Sequence, residues 1–350
     1  MKKIIALLLA GTMTLSMSAC GAKPAASEAA PAESASAETA SSEAAPAEKE
    51  ITVAGVVFQE DQFMKLMQKG YEEAAKNLGV KCMVSNTNND QAKEAELINT
   101  YVSQKIDGIA IAPLNDQSSM QALKAASEKG LEISVGNTKL KDAPFVCGGY
   151  TSDNYMLGQQ TGEMAKKFIE EKLGGKARVA VVQFKSQLPT QSTERMNGFV
   201  DQLKDLPNVE IVADQDAWMQ DQAVQVVGDL LTANDAKGGI DIVWAANDGG
   251  TIGAVMAVKN AGKAGKTFVF GTDAAEQQVA MIKSDDNILQ CVTGQDPFQI
   301  GYNTMEVLIK AIRGEKGEYG KETIVPGIVL SRSDIAAVDA FATVLAEKTK

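Results

Sequence analysis

Not one histidine occurs in the 350 residues, and that absence removes a large class of chemistry. Ser/His and Cys/His nucleophiles, zinc held by imidazole and a histidine pH switch are all excluded. Cysteine is scarce: Cys20, Cys82, Cys147 and Cys291 have no Cys-x-x-Cys spacing that would frame a metal site. Positive charge is in deficit, with 34 Lys and Arg against 45 Asp and Glu and a net charge of −11. No basic stripe exists, so a nucleic-acid groove, which needs clustered cations to neutralise phosphates, is not expected. Long apolar runs are also missing; the segment Ile4 to Ala10 is too short and wrongly flanked for a membrane span. What remains is globular composition and a length suited to about two domains.

The amino terminus reads as an address. Met1, Lys2 and Lys3 form a positive start, an apolar run follows, and Leu15-Ser16-Met17-Ser18-Ala19-Cys20 ends in small residues before a cysteine. The pattern resembles the lipobox of bacterial lipoproteins, with Met17 where Leu is commonest. It implies a signal peptide over residues 1–19 and lipidation of Cys20; an ordinary signal peptide beside an incidental cysteine is the alternative. Cleavage leaves 32 cations against 45 anions, a net charge of −13. Residues 20–50 are almost wholly Ala, Ser, Glu and Pro, interrupted by Pro24, Pro31 and Pro46. Such a segment has too little to bury and is expected to be a disordered, lipid-anchored tether. The other three cysteines lie in strand-like runs and are expected as free, buried thiols.

From Ile51 onward one rhythm repeats. Short β-branched runs at Ile51 to Val57, Val80 to Val84, Gly108 to Ala112, Leu131 to Val135 and Phe145 to Cys147 are mostly separated by amphipathic helical stretches. After Asp153 the alternation restarts, with strands predicted at Arg178 to Phe184, Val209 to Ala213, Ile240 to Ala246, Thr267 to Gly271 and Ile288 to Thr293. Helices are predicted at Thr190 to Leu206, Gln220 to Ala233, Thr251 to Ala261, Ala274 to Lys283 and Pro297 to Arg313. This alternation predicts an α/β protein of two doubly wound, parallel-sheet lobes.

Open parallel sheets bind ligands outside the carboxyl ends of their strands, so the residues that follow each strand are the informative ones. They include Glu60, Asp61 and Phe63; Asn137 and Thr138; Gln191 and Arg195; Asp216 and Trp218; Asn247 and Asp248; Asp273; and Gln295 with Asp296. Planar hydrogen-bonding groups beside two large aromatics suit a polyhydroxylated ligand, whose hydroxyls exchange bonds with Asp, Asn and Arg while rings cover its C–H faces. Asp61, Asp273 and Arg195 sum to −1, which disfavours a strongly anionic ligand and tolerates a neutral sugar or a cation. Each residue also has a plainer role open to it. Asp273 with Glu276 spells a capping box; Asn247 or Asp248 can be a helix cap; Arg195 can be solvated, and Trp218 and Phe63 can be packing.

Glu60-Asp61-Gln62-Phe63-Met64, Ala246-Asn247-Asp248 before Gly253-Ala254-Val255, Phe270-Gly271-Thr272-Asp273-Ala274, Gly294-Gln295-Asp296 before Gln299-Ile300-Gly301, and the crossover Thr151-Ser152-Asp153-Asn154 together resemble the type I periplasmic sugar-binding proteins, closest to the galactose/glucose-binding and ribose-binding proteins. The resemblance runs from Ile51 to about Val329. It implies a Venus-flytrap fold in which a three-strand hinge, near Ser152, Gln295 and Ile324 to Pro326, joins an N-terminal lobe (51–152 plus 296–323) to a C-terminal lobe (153–295 plus 324–350). It further implies a sugar sandwiched by Phe63 and Trp218 within a polar shell of Asp61, Asn137, Arg195, Asn247, Asp273 and Gln295, with Met64, Thr138 and Gln191 beside them. Pro189 and Gln191 stand where galactose/glucose binders have His and Asp, Asn137-Thr138 where ribose binders have Asp-Arg, and Ala112 where those have Asn; the calcium loop has no counterpart around Glu171 to Lys176. These departures leave the identity of the sugar open.

The implied function is capture without turnover: a monomeric lipoprotein on the outer face of the bacterial cytoplasmic membrane that binds a neutral monosaccharide and delivers it to an ABC permease, with no cofactor, metal or nucleic acid. A sugar-sensing receptor that presents its closed form to a chemotaxis or signalling partner is the alternative. Gly265-Lys266-Thr267 only imitates a phosphate-binding loop, since Asn260 stands where the first glycine is required and a strand follows instead of preceding. Glycoside hydrolysis by Asp61 with Asp273 has no sequence signal to support it.

Overall fold

The computed structural model describes residues 50–349 other than Lys316. The expected signal peptide, Cys20 and all of the tether but Glu50 lie outside the described residues. The first half of the fold comprises β1 (Thr52–Val57), α1 (Gln62–Asn77), β2 (Lys81–Asn86), α2 (Gln91–Gln104), β3 (Gly108–Ile111), α3 (Ser118–Ser127), β4 (Glu132–Gly136) and β5 (Val146–Thr151). It continues with α4 (Asn154–Lys172), β6 (Lys176–Gln183), α5 (Pro189–Asp201), β7 (Asn208–Asp216), α6 (Gln220–Asn234), β8 (Ile242–Ala245), α7 (Asp248–Asn260), β9 (Phe268–Thr272), α8 (Glu276–Lys283) and β10 (Leu289–Gly294). Helix α9 (Pro297–Ile312), β11 (Glu322–Ile324), β12 (Ile328–Ser331) and α10 (Ile335–Thr349) complete it.

Two six-stranded sheets result, ordered β11-β5-β4-β3-β1-β2 and β12-β10-β9-β8-β6-β7. All pairings are parallel except β10 with β12. Central strands such as β1, β3 and β8 are apolar on both faces and buried on both, because helices cover each side. The strand order reverses between β1 and β3 in one sheet and between β6 and β8 in the other. Those reversals open the crevices where loops diverge, and they place the loops after β1, β3, β6 and β8 at the centre of the molecule.

The chain passes between the sheets three times: at Ser152-Asp153, at Gln295-Asp296 and at residues 325–327. These crossings lie side by side. Ile324 pairs with Thr151, the Val325 N–H donates to the Thr151 carbonyl at 2.8 Å, and Gly294 pairs with Ile328. A hinge made of adjacent strands permits the lobes to rotate without breaking either sheet. Ile324 belongs to the first sheet, so the third crossing comes one residue later than the expected boundary.

Several elements differ from the sequence reading. The short run Phe145 to Cys147 becomes the longer β5, extending to Thr151 through Gly148 and Gly149, which strand propensity disfavours. Gly148 is needed there because a Cβ would lie 2.8 Å from Val307 of α9. Strands β11 and β12 and helix α10 carry no strong periodic signal, and their place is set by the sheet edges they cover. Of the three cysteines, Cys147 and Cys291 are buried and Cys82 is half-buried; all are free thiols. Burial pushes Cys82 up to about 11 and Cys291 up to about 12, so both stay protonated and unreactive near neutral pH.

Candidate functional site

The two lobes meet at the carboxyl ends of their strands. Gln191 on α5 donates from Nε2 to the Asn137 carbonyl at 2.7 Å and to Thr138 Oγ1 at 3.2 Å, spanning from one lobe to the other. The Glu276 N–H donates to Gln62 Oε1 at 2.6 Å, and Gln187 Nε2 donates to Gln59 Oε1 at 3.3 Å. A cavity of about 370 Å3 is walled by Gln59, Asp61 and Gln62 from one lobe and by Trp218, Asp248, Ile252 and Ala275 from the other. A narrow recess beside it is lined by Phe63, Asp248, Asp273 and Gln295.

Arg195 organises the second lobe's wall. The residue is only 4% exposed. Nε donates to Asn154 Oδ1 at 2.9 Å, Nη1 donates to the Ala246 carbonyl at 2.8 Å, and the group lies 5.0 Å over the Phe184 ring. Nη2 has no protein partner among the described residues, which leaves one donor pair for a ligand. Burial pulls the guanidinium below its ordinary value, while Asp273, Asp248 and Glu194 oppose that shift.

Asp273 sits just past β9 with φ +72, in the left-handed region that a non-glycine residue adopts only when its surroundings hold it there. Its Oδ2 accepts from the Asp248 N–H at 2.9 Å and its Oδ1 from Gln295 Nε2 at 2.6 Å. The capping-box alternative for Asp273 with Glu276 is therefore overturned: α8 begins at Glu276 itself, three residues after Asp273, and Ala275 is the residue before it. Asn247, by contrast, does cap α7, accepting from Gly250 N–H at 3.1 Å while donating to the Trp218 carbonyl at 2.9 Å. Its amide thereby fixes the backbone that carries Trp218. Asp61 caps α1, accepting from the Met64 N–H at 2.7 Å, and also receives Gln59 Nε2.

Of the residues expected from sequence, the cavity and its recess bring together Asp61, Phe63, Trp218, Asp273 and Gln295. Arg195, Gln191, Asn137 and Thr138 are buried beside them. Phe63 lines the recess and Trp218 the larger cavity, so the two rings expected to sandwich the ligand do not line one cavity together, and Asp248 lines both. Met64 is a correction. It is 2% exposed within the apolar core, because the next residue round a helix from Phe63 faces about 100° away. Asp248 follows β8 and was visible in the sequence only as a residue past a strand end. Gln59, Gln62, Gln187, Asn154 and Phe184 carried no separate signal, since their roles depend on partners far away in the chain.

A larger hollow of about 560 Å3, lined by Lys105, Asp107, Lys129 and Glu132 among others, lies at the opposite, amino ends of β3 and β4. An open parallel sheet offers no converging loops there, so the interlobe cleft is the candidate site.

Residues 52–316 match the family described as the periplasmic binding protein domain. The chain belongs to that family. Among its relatives are a xylitol-binding protein of Mycolicibacterium smegmatis, 26% identical and covering 95% of this chain and 87% of its own length, and the D-allose-binding periplasmic protein of Escherichia coli, 29% identical over 71% of this chain and 80% of the relative. The fold matches a solute-binding protein of an ABC transporter from Bacillus halodurans solved with bound myo-inositol, with a TM-score of 0.76, 19% identity and coverage of 85% and 99% of the two chains. Among the described residues no helix is long and apolar enough to cross a membrane.

Closure of this periplasmic binding protein carries an electrostatic cost that a pH titration reads. Burial first, and the neighbouring Asp273 next, push Asp61 up to about 6, against the Met64 N–H that lowers it. A carboxyl raised above its unfolded value contributes stability below the unfolded pKa and loses it as pH rises through the folded one. The ligand-free protein is accordingly expected to melt higher at about pH 5 than at about pH 8. Asp61→Asn keeps the cap acceptor but cannot titrate, and is expected to flatten part of that difference in thermal unfolding. Parallel pH profiles for the variant and the parent protein would remove Asp61 as the cause.

Proposed function

We propose that this periplasmic binding protein captures a monosaccharide between its lobes and presents the closed complex to the permease of an ABC-type importer. The reading rests chiefly on the buried polar shell around the interlobe cavity. Arg195 Nη2 is uncommitted, carboxylates approach from both lobes, and Trp218 supplies a flat apolar wall. A volume of about 370 Å3 lies within the range of ligand pockets, about 300–1,000 Å3. Xylitol and D-allose, in the names of two relatives, are both polyhydroxylated, which supports the same chemistry here.

The mechanism needs no covalent step. In an open form the carboxylates and Arg195 are hydrated; a sugar bound to one lobe replaces that water and offers hydroxyls to the other. Rotation about the three crossings then forms the Gln191, Gln187 and Gln62 bridges. The ligand shifts the equilibrium to the closed form by as much as it prefers that form. A permease that contacts both lobes distinguishes loaded from empty protein by their relative position.

The test is thermal unfolding of the purified protein against hexoses, pentoses, polyols and their phosphates. A ligand at about a hundred times its dissociation constant adds about 2.7 kcal/mol, and a selective upward shift with one or two of these compounds is expected. Trp218→Ala is expected to lower the affinity about tenfold or more by removing the aromatic wall. No shift with any compound would overturn the reading.

We further propose that Cys20 is lipidated and tethers the protein to the outer face of the membrane, on the strength of the small residues before it and the Ala/Ser/Glu/Pro stretch after it. Cys20→Ser is expected to release the protein from the membrane fraction; unchanged fractionation and an unmodified Cys20 by mass spectrometry would refute the anchor.

A further inference from the structure

The charges in the cleft do not balance. Asp61 enters from one lobe, Asp248 and Asp273 from the other; the Arg195 guanidinium acts on Asp248 and Asp273, and Lys65 acts on Asp61. Three carboxylates against one cation leave a formal charge of −2. None of the three carboxylates forms an ion pair among the described residues. Lys65, one turn along α1, is paired with Glu60 at 3.4 Å on the exposed rim, and Glu194 adds a further negative charge near Arg195.

The carboxylates are not equivalent. Asp273 receives a donor on each oxygen, from the Asp248 N–H and Gln295. Asp61 likewise receives the Met64 N–H and Gln59. The Asp248 side chain, only 7% exposed, has a single bond, from the adjacent Gly249 N–H to Oδ1 at 2.7 Å. Its Oδ2 has no donor among the described residues. Asp248 also lines both the cavity under Trp218 and the recess beside Phe63. Oδ2 is not sealed from solvent, so a ligand that displaces water from it must supply a donor in the water's place. A ligand hydroxyl supplies the hydrogen bond but leaves the charge uncompensated. An ammonium supplies both.

We propose that the cargo is an amino-substituted monosaccharide or polyol whose ammonium group seats on Asp248, with Asp61 closing on it from the opposite lobe. This rests on the sugar-receptor reading and narrows its cargo from the neutral sugar expected from sequence. Burial and mutual repulsion push Asp248 well above the ordinary carboxylate value and raise Asp61 with it. The same imbalance is thus met by a proton when no cationic ligand is present.

Matched sets decide the matter by calorimetry at neutral pH: D-glucosamine, D-glucose and N-acetyl-D-glucosamine; the corresponding galactose set; and D-glucamine against D-glucitol. The amine of at least one set is expected to bind tenfold or more tighter than its neutral parent and its acetylated form. Asp248→Asn, near in shape, is expected to erase that ratio, and its melting curve checks that it folds. Neutral members binding as tightly as the amines, or a ratio unchanged in Asp248→Asn, would overturn the proposal while leaving the sugar-receptor reading intact. Absence of binding by every sugar and polyol, amino or neutral, would overturn both.

Discussion

Arg195→Ala is expected to abolish measurable ligand binding and to lower the melting temperature of the empty protein as well. Both effects follow from the way the guanidinium is held. Two of its nitrogens are committed to Asn154 and to the Ala246 carbonyl, which leaves Nη2 without a protein partner among the described residues and with little freedom to lose on binding. Charge-assisted bonds contribute about 1.5–3 kcal/mol each, so losing even one bond to the ligand lowers affinity roughly tenfold to a hundredfold. Removing the side chain also strands the buried Asn154 Oδ1 and Ala246 carbonyl, at about 1–3 kcal/mol apiece, and empties the space over Phe184. Arg195→Lys separates the two effects. It keeps the charge but not the planar fork, so it is expected to recover part of the stability and little of the binding. Calorimetry with the compound that shifts the melting curve is the measurement, and an Arg195→Ala affinity within about threefold of the parent protein, a difference of well under 1 kcal/mol, would sink the assignment.

The second large effect is one whose sign reverses between sequence and structure. Gly301 lies inside α9, where helix propensity favours alanine by about 1 kcal/mol. In the fold, α9 packs backbone to backbone against α1 at Gly70 and Gly301. A Cβ at Gly301 would lie 2.1 Å from the Met67 carbonyl oxygen, and one at Gly70 would lie 2.3 Å from the Phe298 carbonyl oxygen. Both obstacles are backbone, so no rotamer change relieves them and the helices must separate. Gly301→Ala is therefore expected to destabilise by about 3 kcal/mol or more, at the upper end of overpacking effects. Gly158 and Gly198 play the same part between α4 and α5, with approaches of 1.9 and 2.0 Å. Gly228 in α6 has open space around it and serves as the control: Gly228→Ala is expected to stabilise slightly, by up to about 1 kcal/mol. Denaturant unfolding of the two variants checks the pair. Equal, stabilising effects would mean that the α1–α9 crossing is looser than described.

The contrast between those two glycines is a measure of what could be read early. Gly301 and Gly228 are both single glycines in helical stretches, and only the facing helix distinguishes them. The same holds in the cleft. Asp273 with Glu276 satisfies a local capping pattern, yet the backbone at Asp273 turns left-handed and its carboxylate serves Asp248 and Gln295 instead. Asn247 satisfies a similar pattern and does cap its helix. Local rules weigh the two alike, and the competing partners arrive from other strands. Met64 fails in another way, since adjacency to Phe63 in sequence means a different face of the helix.

Hydrophobic periodicity by itself determined where most strands and helices lie, because burial on one face or two leaves a period of 3.6 or an unbroken apolar run in the chain. From that alternation followed parallel sheets, two lobes, and a ligand site at the carboxyl ends of the strands, since helix-covered sheets leave their loops free to diverge only at the strand-order reversals. Short segments whose position depends on a sheet edge, β11, β12 and α10, had no such imprint. The tertiary structure alone decided which polar residues meet: Gln191 with Asn137, Arg195 with Asn154, and Asp61 opposite Asp248. Hydrogen bonds and charges act over a few ångströms in space, and residues tens to hundreds of positions apart leave no pattern in the chain until folding makes them neighbours.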